Sequence, residues 1–187
     1  MSIVVIIALV VVAIGVVAAI AIVGMYNNLV KLRNRVDNAW SQIDVQMQRR
    51  LDLIPNLVET VKGYAAHEAG TLETVTAARA AVAGAANPHD KMAADGALTG
   101  TLKSLFAVAE GYPELRANAN YQQLQAELSS TEDKISYMRQ SYNDTVMKYN
   151  TAIQSFPGVL FAGMFGFQER ESFVAVAGSE VAPKVGF

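Results

Sequence analysis

From Ile3 to Val23 the chain carries no charged or strongly polar side chain. A helix of that length spans ~31 Å, about the hydrocarbon thickness of a bilayer. It is apolar on every face and stands at the start of the chain, where a surrounding core is hard to build, so the pattern predicts a transmembrane anchor over residues 1–24. The rival is a cleaved signal peptide, which has a basic lead, a shorter apolar core and a small-residue cleavage site. Here only Ser2 precedes the run and no Lys or Arg does.

At Tyr26 the pattern narrows to one stripe. Leu29, Leu32, Val36, Trp40, Ile43, Met47, Leu51 and Ile54 stand three or four residues apart, with Arg33, Asp37, Asp44 and Gln48 opposite, which predicts an amphipathic helix. No breaker separates it from the anchor, although Gly24 and Asn27–Asn28 are places where a joined rod could bend. Pro55 lacks an amide hydrogen and disfavours helical geometry at Ile54, while Asp52 suits an N-cap, so a break or sharp kink is expected at Asp52–Pro55. A second helix then uses Leu57, Val58, Val61, Tyr64, Leu72, Val75 and Val82, weakened but not ended by Gly63 and Gly70.

Gly84 to Pro88 is the next stop signal. A third helix uses Leu98, Leu102, Leu105 and Phe106 and ends by Gly111-Tyr112-Pro113. In the fourth, Tyr121, Leu124, Leu128, Thr131, Ile135, Met138, Tyr142, Thr145, Tyr149, Ala152 and Phe156 alternate steps of three and four without a slip, the mark of a coiled-coil seam. Pro157 closes it. "FPGVLFAGMFGF" follows without a charge, and Ser172 to Gly178 reads as a short extended piece. Four stripes with short connections can be hidden only against each other. The expected fold is all-α: a transmembrane helix, an antiparallel four-helix bundle over 25–156, and an apolar, aromatic tail over 157–187 that packs on or extends from the bundle.

Charge adds an orientation. Lys31, Arg33 and Arg35 follow the apolar run, with Arg49 and Arg50 beyond, so the positive-inside rule puts the bundle in the cytoplasm and the short N-terminal end outside. The net charge of −2 gives no reason to expect nucleic acid as a partner, and without cysteine there is no disulfide, thiolate metal site or cysteine nucleophile.

The stretch "RRLDLIPNLVETVKGYAAHE" gathers titratable residues, yet its spacing fits no known chemistry. A zinc protease needs a second histidine one turn from the first, and a di-iron bundle needs Glu-x-x-His twice. His67 is preceded by Tyr64 at that spacing and His89 by Ala86. Nothing resembles a serine-hydrolase elbow or a phosphate-binding loop. Arg49, Arg50, Asp52 and Pro55 therefore read as a helix break with surface pairs or a polar layer. An enzyme using Arg49, Arg50, Asp52 and Glu59 would need a deep polar pocket there. Trp40 reads as a core anchor. The Tyr142-Asn143 and Tyr149-Asn150 pairs, seven apart, read as hydrogen-bonding locks between helices. Gly15 and Ala19 hint at helix pairing within the membrane. The least ordinary feature is the uncharged stretch with Phe156, Leu160, Phe161, Phe165 and Phe167, which either covers the end of the bundle or contacts a partner or a membrane.

These residues also carry a likeness. "YNNLVKLRNRVDNAWSQIDVQMQRRLDLIPNLVETVKGYAAHE", "AEGYPELRAN", "STEDKISYMRQSYNDTVMKYN", "FPG", "FGF" and "APKVGF" together resemble the LemA family from within the anchor nearly to the end. The resemblance implies an N-terminal transmembrane helix with a short outside end and a cytoplasmic antiparallel four-helix bundle. It carries over no catalytic or ligand residue. Some relatives belong to specialised bacterial membrane systems, magnetosome membranes among them. The sequence thus leads to a non-catalytic scaffold in the bacterial inner membrane, with no cofactor or metal, whose partners are the lipid bilayer and either copies of itself or other membrane proteins. The second reading is a membrane-remodelling or membrane-organising protein that acts directly on lipid.

Overall fold

The computed structural model describes residues 3–173, and these form helices and connecting turns with no strand. The elements are α1 (Ile3–Lys62), α2 (Ala69–Gly84), α3 (Pro88–Ala109), α4 (Pro113–Ala117), α5 (Ala119–Gln154) and α6 (Gly158–Phe161). The expected extended piece at Ser172–Gly178 lies, beyond Phe173, outside the described residues. Contacts divide the described chain into two compact units: residues 3–39 with 142–172, and residues 40–141 with Phe173.

α1 is unbroken, so the apolar run and the first amphipathic stripe belong to one helix. The large apolar side chains from Ile3 to Ile20, and Val23, are all exposed. Among the described residues α1 is the one helix long and apolar enough to cross a membrane. The stripe that follows is buried at Leu29 and Val36 in the first unit and at Ile43, Met47, Leu51, Ile54, Leu57 and Val61 in the second.

The break expected at Asp52–Pro55 is absent, because α1 continues through Pro55 to Lys62. A proline inside a helix strands the carbonyl four residues back. Here that carbonyl belongs to Leu51, and it accepts a hydrogen bond of 2.8 Å from Arg79 Nε on α2. A remote side chain thus replaces the missing amide, and the pyrrolidine ring faces outward at an exposed position. Asp52 caps nothing; it accepts from Gln48 Nε2 at 2.9 Å, one turn back. The chain turns later than expected, from Gly63 through Glu68, where Ala65 N–H returns to Val61 O at 2.8 Å and Glu68 N–H to Ala65 O at 3.0 Å. Gly63, read as a weak point only, is where the helix stops.

α2 packs against α3. α3 begins as its sequence signals: Pro88 occupies the first turn and the Asn87 side chain accepts from Asp90 N–H at 2.9 Å, satisfying one of the unpaired amides of the helix start. One apolar cluster in the second unit joins Leu51, Ile54 and Leu57 of α1, Leu72 and Val75 of α2, Leu98 and Leu105 of α3, Leu115 of α4, and Tyr121 and Leu128 of α5. Along α5 the positions seven apart, Tyr121, Leu128, Ile135, Tyr142 and Tyr149, are all buried. Thr131 is buried too, with its hydroxyl donated to Glu127 O at 2.8 Å. Phe156, placed at the end of that seam by spacing, lies past the helix and is 80% exposed.

The proline and Arg79 should act as a coupled pair. Arg79→Ala leaves Leu51 O without its partner and should cost about 1–3 kcal/mol. Pro55→Ala returns an amide to that carbonyl, so in the Arg79→Ala background it should recover about 1 kcal/mol more than in the parent. Urea denaturation of the detergent-solubilised protein, followed by far-ultraviolet circular dichroism, measures this cycle. Additive effects would show that Arg79 does not stand in for the amide.

Candidate functional site

The densest chemistry is in the second unit. Arg50 falls on the buried spacing Leu29, Val36, Ile43, Arg50, Leu57, and Asp95 falls on the α3 spacing Asp95, Leu102, Ala109; all eight are buried. Each is a charge written into an apolar stripe, and the fold brings them together. Arg50 Nη1 lies 3.0 Å from Asp95 Oδ1 and 2.8 Å from Glu132 Oε2, and Nη2 donates to Thr99 Oγ1 at 2.9 Å. Arg139 Nη2 pairs with the other oxygen, Asp95 Oδ2. Asp95 has no solvent exposure, while the Glu132 side chain opens toward a surface cleft of about 210 Å³ edged by Thr99, Phe106 and Leu128. The Arg139 guanidinium also lies 5.1 Å from the centre of the Phe173 ring, which sits 6.1 Å from the half-buried Trp40 ring. Arg50 Nε and Arg139 Nε are buried without an acceptor. The arrangement fixes helices and offers little to a substrate: both oxygens of Asp95 are taken by guanidinium groups, and the carboxylate is enclosed.

The titratable residues singled out beside Pro55 do not converge. Arg50 turns inward to partners on α3 and α5 that spacing within α1 could not name. Arg49 is half exposed and lies 3.6 Å from Glu127, Asp52 stays with Gln48, and Glu59 faces solvent. A groove of about 490 Å³ is lined by Val58, Ala66, Leu72, Thr76 and Ala80, with Lys62 and Glu73 also present. It has none of the convergent polar groups that mark a catalytic pocket. No cluster of three potential metal ligands occurs among the described residues.

The first unit holds the apolar stretch after α5. Gly158 is buried, and a Cβ there would collide with the Ala152 carbonyl, so only glycine lets the chain fold back on the helix end. Gly166, at φ 71°, uses the left-handed region that glycine enters without strain. The five side chains singled out here separate. Phe167 is buried beneath Arg33, whose guanidinium lies 5.2 Å from its ring centre. Phe165 and Phe167 meet the Tyr26 ring edge-on at 5.2 and 5.6 Å, and Phe161 stacks on Phe165 at 6.3 Å. Phe156 and Leu160 face outward, as do Val159 and Met164.

Past Phe167 the chain lies along α5, held by the tyrosine and asparagine residues expected to lock helices. Tyr149 OH donates to Gln168 O at 2.9 Å and Tyr142 OH to Glu171 O at 3.0 Å. The Asn150 amide bonds both ways to the Arg170 backbone, at 2.8 and 3.0 Å. What these groups lock is an irregular segment, which α5 spacing alone could not distinguish from a helix. Arg170 also reaches Asp37 at 3.1 Å. Burial raises the pKa values of Tyr142 and Tyr149 above the ordinary 10.0, against the opposing pull of Arg170.

Two predictions follow from these contacts. Asp95→Ala removes the carboxylate that Arg50 and Arg139 share, leaving Arg50 with Glu132 and Thr99, and should cost about 3–5 kcal/mol, whereas the triple replacement Arg50→Met, Asp95→Leu, Arg139→Met should come within about 1–2 kcal/mol of the parent. Chemical denaturation decides; an Asp95→Ala variant as stable as the parent would remove the cluster from the account. For the tyrosines, the fold favours the neutral hydroxyl, so their contribution is fully present below about pH 10, where the unfolded chain begins to ionise, and is lost as pH rises through the raised folded values. Replacing Tyr142 and Tyr149 with Phe should lower stability at neutral pH by about 1 kcal/mol per hydroxyl and flatten the loss above about pH 10. Denaturation midpoints across that range read both effects, and an unchanged alkaline slope would contradict the assignment.

The chain is 28% identical to magnetosome protein MamQ 2 of Paramagnetospirillum magneticum, with 85% of this chain and 68% of that protein aligned. It is 28% identical to protein LemA of Metamycoplasma hominis, over 72% of this chain and 62% of that protein. Magnetosome protein MamQ of Magnetospirillum gryphiswaldense is 26% identical, over 79% and 64%. The sequence profile of the LemA family matches residues 39–187, four-fifths of the chain, from the second half of α1 through the charge cluster to the tail, and the chain belongs to the LemA family.

Proposed function

We propose that this protein is a membrane-anchored, non-catalytic helical scaffold of the bacterial inner membrane, one that presents its helix surfaces to further copies of itself or to other membrane proteins. The observation that carries the reading is α1. An apolar run long enough to cross a bilayer, with no buried residue in it, continues in the same helix into a stripe that is buried. A helix with those two halves ties a folded domain to lipid. In this reading the later half of α1, α2, α3 and α5 form an antiparallel four-helix bundle, supported by the apolar cluster to which all four contribute. Lys31, Arg33 and Arg35 favour a cytoplasmic bundle with the short end outside. Relatives named as magnetosome proteins fit a role tied to a bacterial membrane system.

The case for a scaffold over an enzyme rests on how the polar groups are used. The buried charges engage one another, and the groove edged by Val58, Leu72 and Ala80 is largely aliphatic. The exposed apolar side chains after α5 favour a second reading, direct action on lipid. Intact cells test the scaffold. A photoreactive side chain at Val45 or Tyr137, both exposed, should capture another copy of the chain or a membrane protein. An impermeant reagent should reach a cysteine replacing Ser2 from outside. A protein that is monomeric in mild detergent and captures nothing at either position is no scaffold.

A further inference from the structure

From the same first unit we infer that the turn after α5 dips into the bilayer interface beside the anchor, with Phe156, Val159, Leu160 and Met164 among the acyl chains. This rests on the reading of α1 as membrane-spanning and names the lipid surface as a second, separate contact of the domain.

Three observations converge on it. The first is level. Tyr26 stands three residues past Val23, ~4.5 Å along the helix axis, where an anchor leaves the hydrocarbon and enters the headgroup zone. Phe165 and Phe167 pack on that ring. The path of the chain says the same. Arg170 is paired with Asp37, Phe167 lies under Arg33, and Phe165 touches Tyr26, so each step backward in sequence comes closer to the apolar run. Residues 156–164 precede that point. The bonds from Phe167 N–H to Ala162 O at 2.9 Å and from Phe165 N–H to Phe161 O at 3.0 Å tie residues 161 and 162 to it, and those from Ala162 N–H to Gly158 O at 2.8 Å and Leu160 N–H to Pro157 O at 3.1 Å hold the rest of the turn to them.

The second is the surface itself. Phe156, Val159, Leu160 and Met164 are 80, 54, 60 and 76% exposed. No charged residue occurs from Phe156 to Phe167. Large apolar side chains grouped this way on a soluble face call for a partner. Adjacent to a membrane anchor, the nearest apolar phase is the membrane.

The third is the collar. Lys31 and Arg35 are exposed on α1, and Arg33 covers Phe167. Cations with aliphatic stems and aromatic rings beside an apolar tip are the side chains that settle at the headgroup level, the stems lying along apolar surface and the charges reaching phosphate. An apolar wedge with a basic rim is held at an interface by both terms.

The chain has no cysteine, so single labels are clean. The full-length protein is reconstituted in phosphatidylcholine–phosphatidylglycerol vesicles with an environment-sensitive fluorophore at one position, after Ile14→Cys, Leu160→Cys or Met164→Cys. Lipids carry a nitroxide near the glycerol or near the chain end, and iodide serves as the aqueous quencher. The probe at 14 should be quenched by the deep nitroxide. Probes at 160 and 164 should shift to the blue on reconstitution, lose emission to the shallow nitroxide and resist iodide. If the probe at 14 is quenched by lipid while those at 160 and 164 respond only to iodide, the wedge is wrong and the anchor stands. If 160 is silent to both quenchers and a pyrene placed there forms excimers, a second copy covers the turn, which also overturns it. If the probe at 14 is itself untouched by lipid, the anchor reading fails and takes the wedge with it.

Discussion

A carboxylate taken wholly out of water must be met by opposite charge at hydrogen-bonding distance, or the helices around it will not close. Asp95 is met twice, by Arg50 of α1 and Arg139 of α5, and this requirement governs how the three helices fit in the second unit. Its value is specificity more than strength, because desolvation consumes most of what the ion pairs gain. Apolar seams with a seven-residue repeat are nearly indifferent to a slip of seven: leucine meets leucine again. Charges break that indifference. Sliding α1 by one heptad would bring Ile43 or Leu57 to Asp95, leaving one carboxylate oxygen with Arg139 and the other buried against an apolar side chain. A one-residue slip would rotate Arg50 by about 100° around the helix. Arg139 extends the constraint outward, since the guanidinium that holds Asp95 also lies over Phe173 next to Trp40.

The same logic of remote satisfaction explains why Pro55 does not break α1. A proline's local effect is fixed: no amide, and a stranded carbonyl at Leu51. Whether the helix survives depends on what else reaches that carbonyl, and Arg79 reaches it from α2, 28 positions on. Local reasoning at Pro55 therefore pointed to a kink, and the turn was missed at Gly63, which looked like a minor flaw within a longer stripe. The stripes themselves were legible. Leu29, Val36, Ile43, Met47, Leu51 and Ile54 on α1 and Tyr121, Leu128, Ile135, Tyr142 and Tyr149 on α5 are buried as their spacing predicts, while near the end of α5 Val146 and Ile153 are buried in place of Thr145 and Ala152.

Pairing is not local. The neighbours of Arg50 in sequence do not name its partners, which stand on other helices. A signal was present: Asp95 occupies the place where the α3 spacing calls for an apolar residue, as Arg50 does on α1. Two opposite charges written into two apolar stripes announce a buried pair. The turn from Phe156 to Phe167 carries no such signal. It has no period, so nothing in its composition separates Phe167, which is buried, from Phe156, which is not. That division follows from the bends at Gly158 and Gly166 and from the hydrogen bonds that hold residues 168–171 along α5.

What remains is to ask why α5 should hold an irregular segment so firmly. Tyr142, Tyr149 and Asn150 satisfy the carbonyls of Gln168, Arg170 and Glu171 and the Arg170 amide, and in doing so they fix the chain on the far side of the apolar turn. The near side is fixed by α5 itself. A loop pinned at both ends cannot retract its exposed side chains into a core by rearranging, so their exposure is built in. These hydrogen bonds hold the turn in one shape, with Phe165 and Phe167 on Tyr26 and Phe156, Val159, Leu160 and Met164 outward, while the buried charges engage one another. In the proposed reading, the apolar surface those four side chains meet is the membrane that α1 crosses.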